Sequence, residues 1–300
     1  FHTNHEQMTQ QIITSPETEV NHVLRQDSDD FPAQVASVIA KTYPNQQVVQ
    51  MISSQIDADR MDYLLRDSYF TGTKYGNFDL TRILRVMRPY HGGIAFNFSG
   101  MHAVEDYIVS RFQMYQQVYF HPVSRSMEVI LSSLLKRAKD LYEMDQLPHN
   151  FAYETLNPFF DNQFSLEQYL KLDDGVLNTC FSIWSECDDH ILKDLARRFL
   201  NRKPLKSAKV NDDTRSLLPT LRKLIAEAGF DPYYYAATND SFDLPYDSYN
   251  PNAKKPQTQI ELMQTDGSLI ELSTVSTLVK AISGKITGDE RFFFPREMLA

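Results

Sequence analysis

Ser54-Gln55-Ile56-Asp57-Ala58-Asp59-Arg60-Met61-Asp62-Tyr63-Leu64-Leu65-Arg66-Asp67 is the stretch on which the reading of this chain turns. Apolar residues recur in it at helical spacing, which predicts one long helix from about Gln46 to Tyr69, ended by the Gly72 region. At ~100° per residue, Asp59, Tyr63 and Asp67 fall within about 80° of one another on one face. Ile52 and Ile56 share that face, so two carboxylates are expected inside an apolar stripe. Such carboxylates must be paired, hydrogen-bonded or bound to a metal, because bare burial is costly. A structural account also fits: Asp59 pairs with an Arg, and Asp67 caps the helix end.

Working outward, helical spacing occupies the N-terminal side, with Asp27-Ser28-Asp29-Asp30 marking a loop. Thr81–Met87 reads as a short helix closed by Pro89, and Ile94–Phe98 as a short strand. Met101 to about Glu143 is helical throughout, interrupted once by Pro122. Further helices are expected over Ser165–Leu177, Asp189–Leu200 and Leu217–Ala228. The last seventy residues change character, with Pro232, Pro245, Pro251 and Pro256 breaking a Tyr-rich stretch. Period-two alternation around Asp266-Gly267 predicts a β-hairpin at about 258–274. The expected fold is mainly α: a helical body with a small α+β C-terminal region. Its expected segments are 1–146 (helical core), 147–230 (helical extension) and 231–300 (small α+β region with the hairpin).

Three further groups of residues could carry chemistry. Arg111, Tyr115 and Tyr119 recur at i, i+4 and i+8, placing a permanent cation beside two phenols, which suits an anion next to a flat ring. Equally, the Arg could snorkel past core tyrosines. His2, His5 and Glu6 form an HxxHE pattern, which lacks the HExxH order of zinc proteases and reads alone as surface histidines. Arg197, Arg198, Arg202, Lys203 and Lys206 cluster where a helix ends, and a solvated helix terminus explains them without a ligand.

Composition narrows the field. Three hundred residues with 42% apolar and 23% charged side chains exclude a disordered chain. Thirty basic against thirty-nine acidic residues leave a net charge of −9, unfavourable for general nucleic-acid binding. No apolar run approaches the ~18 residues of a membrane span. Cys180 and Cys187 are the only cysteines, which excludes a zinc ribbon or disulfide scaffold and suggests a reducing, cytoplasmic setting. Phe1 stands first with no signal-peptide pattern behind it, as expected of a processed or internal start.

The quoted string, continued by Ser68-Tyr69-Phe70-Thr71-Gly72-Thr73-Lys74-Tyr75-Gly76-Asn77-Phe78-Asp79-Leu80-Thr81-Arg82, resembles the HD-domain deoxynucleoside triphosphate triphosphohydrolases. It is most similar to their Gram-positive bacterial branch, and more distantly to the human enzyme that depletes dNTPs. Thr3-Asn4-His5-Glu6, the segment Arg111 to His121 and the tail fit as well, so the resemblance spans nearly the whole chain. It implies that Asp59 is a metal ligand and His5 the catalytic histidine beside the leaving group. Arg60, Tyr63 and Asp67 match residues around the triphosphate and sugar, and Arg111 and Tyr119 match residues holding phosphate and deoxyribose. Asp79, Arg82, Arg202 and Lys206 align with regulatory nucleotide sites, and His121 falls beside such a site.

The resemblance further implies hydrolysis of a dNTP to deoxynucleoside and inorganic triphosphate. It implies a divalent metal (Mg, Mn, Fe, Ni or Zn), an activating nucleotide, and assembly as a homo-oligomer, dimer or tetramer. The chain departs from the family in one respect. None of its eight histidines is followed by Asp, so the His-Asp pair and the earlier metal-ligating histidine are absent from these residues. One ligand alone cannot hold an ion. Two other classes therefore stay open: a non-catalytic nucleotide-sensing protein of the same fold, and a purely structural helical fragment.

Overall fold

A computed structural model of the protein describes residues 3–147, 155–243, 245–246 and 259–299. His2, residues 148–154 of the expected extension, and position 258 of the expected hairpin lie outside the described residues. Contacts divide the chain into two compact units. One comprises Thr3–Val118 with Asp243–Thr287; the other comprises Tyr119–Phe242 with the residues from Gly288 onward. The boundaries expected at 146–147 and 230–231 are therefore not those of the contacts. The last seventy residues divide between both units, because their strands pair with partners far away in sequence, which local composition does not disclose.

The unit containing Thr3–Val118 opens with α1 (His5–Thr14), α2 (Glu19–Arg25) and α3 (Phe31–Ile39), packed on one another. Asn4 begins α1 with a capping box, its side chain accepting from the Gln7 N–H at 2.9 Å. The single helix expected from Gln46 to Tyr69 is in fact two, α4 (Gln46–Ile52) and α5 (Ala58–Thr71). The break is chemical. Asp57 is extended (φ −106°, ψ 170°), and its carboxylate accepts from the N–H groups of Arg60 at 2.8 Å and Ser54 at 3.1 Å. An N-cap so satisfied starts a helix and cannot lie inside one. Gly72, with φ +72°, ends α5 in the left-handed conformation that glycine adopts without strain.

This break corrects the expected apolar stripe. Ile52 belongs to α4 and is 47% exposed, Ile56 is buried in the connection, and Asp59 is exposed in the first turn of α5.

After α6 (Leu80–Val86) come β1 (Met87–Tyr90) and β2 (Gly93–Asn97), an antiparallel pair, and then α7 (Met101–Met114). The expected hairpin forms from β5 (Glu261–Met263) and β6 (Leu269–Glu271), with Glu261 opposite Glu271. It joins β2 in parallel through β5, giving the strand order β1-β2-β5-β6. Leu64, Ile83, Val104, Tyr107, Ile108, Leu262 and Val279 are fully or almost fully buried in this unit.

The other unit is built on α8 (Pro122–Glu143), which packs against the helix His190–Leu200. A turn of π-helix, Tyr115–Tyr119, precedes α8. Ile130, Leu134, Phe181, Trp184, Leu192 and Leu195 make a buried core together with Phe292 and Phe293 of a three-stranded sheet. In that sheet, β3 (Lys206–Val210) and β7 (Thr287–Phe294) are antiparallel, and β4 (Ala237–Asp243) lies on the other side of β7. The fold is mainly α with small sheets, as expected. Among the described residues, no helix is long and apolar enough to cross a membrane.

Candidate active site

Asp57 organises the approach to α5. Besides its two N–H donors it faces the Arg60 Nε at 3.6 Å, and an Arg60 terminal nitrogen donates to the Ser54 carbonyl. Arg60 is thus partly committed to its own loop. The neighbouring Gln55 accepts twice, through its carbonyl from the Tyr107 hydroxyl at 3.0 Å and through its side-chain oxygen from Arg111 at 2.9 Å. The same Arg111 nitrogen donates to the Pro245 carbonyl at 3.2 Å. Arg111 is only 6% exposed, and its guanidinium lies 5.4 Å from the centre of the Tyr115 ring.

Tyr63, on α5, hydrogen-bonds Tyr115, and burial first, then that bond, push its phenol well above the ordinary value. Burial likewise raises Tyr107, against the lowering effect of Arg111. Both phenols therefore stay protonated at neutral pH and keep their hydrogens for donation. The result is a buried permanent cation that donates to Gln55 and Pro245 and lies near the Tyr115 ring, in the unit whose helix α5 carries Asp59, Tyr63 and Asp67. A phosphate or another compact anion is the chemical complement of such a group.

Of the residues singled out in the sequence, Asp59, Arg60, Tyr63, Asp67 and Arg111 share one unit, with His5 exposed at the start of α1 in the same unit. Tyr119 and His121 belong to the other unit. His121 caps α8, its Nδ1 accepting from the Val123 N–H at 3.3 Å. Asp79 and Arg82 come together as a cap. Asp79 accepts from the Arg82 N–H at 2.8 Å, and the Arg82 side chain donates to the Ser99 carbonyl at 3.1 Å.

The basic cluster separates into two kinds of residue. Arg197 forks onto Glu186 at 2.9 Å, while Arg198 is buried between Asp194 at 2.6 Å and Glu297 at 3.0 Å. Arg202, Lys203 and Lys206 are exposed. Arg202 has φ +52°, and the N–H groups of Arg202 and Lys203 close back on the carbonyls of Phe199 and Arg198. This is a Schellman ending with arginine where glycine is usual. Arg202→Gly should accordingly stabilise the protein by about 0.5–1 kcal/mol, by removing the left-handed penalty net of glycine's entropy. The urea midpoint measures it, and a lower midpoint would mean that the side chain contributes more than the backbone strain costs.

Sequence reasoning missed Gln55, Asp57 and Tyr107. Asp57 was legible as an N-cap before Ala58. Tyr107 was legible too, since Tyr107, Arg111 and Tyr115 form an i, i+4, i+8 series one turn earlier than the series chosen.

Among the described residues, no group of three His, Cys, Asp or Glu side chains could hold a metal, so Asp59 has no companion set there.

Residues 78–217 match the HD-associated region family. The uncharacterized protein YwfO of Bacillus subtilis is 48% identical over 302 residues, an alignment spanning 100% of this chain and 69% of that protein. A phosphohydrolase from Bacteroides thetaiotaomicron superposes with a TM-score of 0.74 at 23% identity, over 97% of this chain and 75% of that one. A deoxynucleoside triphosphate triphosphohydrolase SAMHD1 homolog of Dictyostelium discoideum is 25% identical over 127 residues, 40% of this chain and 24% of that protein.

Proposed function

Because the chain belongs to the same family as Bacillus subtilis YwfO and carries an HD-associated region, we propose that the whole protein is an HD-type phosphohydrolase that hydrolyses dNTPs to deoxynucleoside and inorganic triphosphate. The observation that carries this reading is Arg111, a buried cation that donates to the Gln55 side chain and the Pro245 carbonyl in the same unit as the helix of Asp59, Tyr63 and Asp67. Its charge would offset part of the triphosphate, with Arg60 adding a second, partly committed cation. Asp67 would contact the sugar end of the substrate. His5, exposed at the head of α1, would give its proton to the departing 5′-oxygen.

Asp59 would be this chain's contribution to a divalent ion whose other ligands are not among the described residues. Asp59→Asn in the whole protein should lower bound metal, measured by elemental analysis. Stability should change by less than ~0.5 kcal/mol, since the side chain is exposed. Unaltered metal content would remove Asp59 from the ligand set. An activating nucleotide at Asp79, Arg82, His121, Arg202 and Lys206, within a homo-oligomer, belongs to the same proposal.

The test is product identity. The whole protein is incubated with each dNTP and divalent metal, and phosphorus NMR distinguishes triphosphate from pyrophosphate and orthophosphate. Triphosphate with free deoxynucleoside supports the reading. Pyrophosphate or orthophosphate overturns it, and tight dNTP binding without turnover favours the nucleotide-sensing alternative.

A further inference from the structure

Glu271 closes β6 and is 3% exposed, a carboxylate buried in the unit that holds Arg111. It accepts from the Tyr246 hydroxyl at 2.6 Å and from the Ser273 hydroxyl at 2.5 Å. Tyr246 is fully buried, and its hydroxyl oxygen accepts in turn from the Ile260 N–H at 2.7 Å. Its carbonyl takes the Gly284 N–H at 2.9 Å. The phenol and the peptide of Tyr246 are therefore both fixed, and the residue before it is Pro245, whose carbonyl receives the Arg111 guanidinium.

This arrangement has an evident cost. Glu271 stands directly opposite Glu261 in the hairpin, and like charges so placed destabilise a strand pair. Burial, and then the charge of Glu271, push the Glu261 carboxyl above its ordinary value. A leucine at 271 would avoid that repulsion and the cost of burying a carboxylate. What the carboxylate adds is a fixed orientation for Tyr246 and hence for the carbonyl one residue earlier.

We propose that Glu271 is a positioning residue for Arg111: through the Tyr246 hydroxyl it fixes the Pro245 carbonyl that aims the guanidinium. The C-terminal hairpin thereby sets the direction of the anion-binding cation from more than a hundred residues away in sequence. Its consequence for nucleotide affinity rests on the function proposed above, whereas the structural link does not.

The experiment uses the whole protein and two readouts. Phenylglyoxal modifies guanidinium groups, and peptide mass spectrometry gives the rate at Arg111, with exposed Arg82 as internal control. Tyr246→Phe and Glu271→Leu should each speed modification of Arg111 roughly tenfold, the equivalent of one lost hydrogen bond, and leave Arg82 unchanged. Glu271→Gln, whose amide oxygen can still accept from Tyr246, should keep the wild-type rate. Circular dichroism identifies any variant that fails to fold, and the other then decides. An Arg111 rate unchanged in the folded variants overturns the proposal.

The second readout is dNTP affinity. Tyr246→Phe should weaken it by a similar factor in the wild-type background and have no further effect when Arg111 is already Ala. An equal effect in both backgrounds overturns action through Arg111. If dNTPs neither bind nor protect Arg111 in the wild type, the proposed function fails, and the positioning link is decided by the modification rates alone.

Discussion

Arg125→Ala should lower the unfolding free energy by about 3 kcal/mol, toward the lower end of what breaking a buried ion pair costs. Arg125 is 0% exposed on α8 and ties that helix to two strands. Its Nε donates to the Asn239 side chain at 2.8 Å, one terminal nitrogen pairs with the Asp289 carboxylate, and the other reaches the Asp289 carbonyl at 2.9 Å. The loss stays near the lower end because Asp289 keeps Arg291 at 3.0 Å and Lys209 at 3.7 Å. A denaturant titration measures it, and a loss below ~1 kcal/mol would mean that the freed acceptors find water.

The same pair predicts a pH dependence. Burial raises Asp289, but hydrogen bonds from Arg125 and Arg291 outweigh it and hold the carboxyl below the ordinary range. A lowered folded pKa means that stabilisation is complete above the unfolded value and fades as pH falls through the folded one. The difference between wild type and Arg125→Ala should therefore shrink in acid.

Arg111→Ala should cost about 10²–10³-fold in kcat/KM for dNTP hydrolysis, the range seen when a preorganised charge donor is removed. Arg111→Lys should recover little. A lysine nitrogen could donate to the Gln55 oxygen and the Pro245 carbonyl, as one Arg111 nitrogen does, but it brings no further nitrogens for a phosphate and no planar face for Tyr115. Steady-state kinetics on the whole protein check both. A Lys variant within a few-fold of wild type would reduce Arg111 to a bulk electrostatic role.

What could be read in the sequence follows from the range of each interaction. The hairpin, the stop at Gly72 and the helices on either side of Pro122 depend on neighbours a few residues apart, and they are where the spacing placed them. The break at Asp57 was also local, but its N-cap signal was overridden by a periodicity that runs smoothly from Gln46 to Tyr69. Asp59 as a buried carboxylate was the error that followed. Arg125, Glu271 and the Pro245 carbonyl lay beyond reach for a different reason. Each matters through partners 25 to 164 positions away, and no periodicity encodes such a pairing.

The order in which strands are made has a consequence for synthesis. β2 ends at Asn97, and its parallel neighbour β5 begins at Glu261. At roughly 5–20 residues per second, a ribosome needs on the order of ten to thirty seconds to cover that interval. Throughout it, one edge of β2 has backbone groups without the neighbour they will have in the finished sheet, and β3 waits similarly for β7. The sheets close only once β5 (Glu261–Met263) and β7 (Thr287–Phe294) have been made. A nascent or truncated chain ending near residue 230 would carry two unfinished edges, each a template for pairing with another chain.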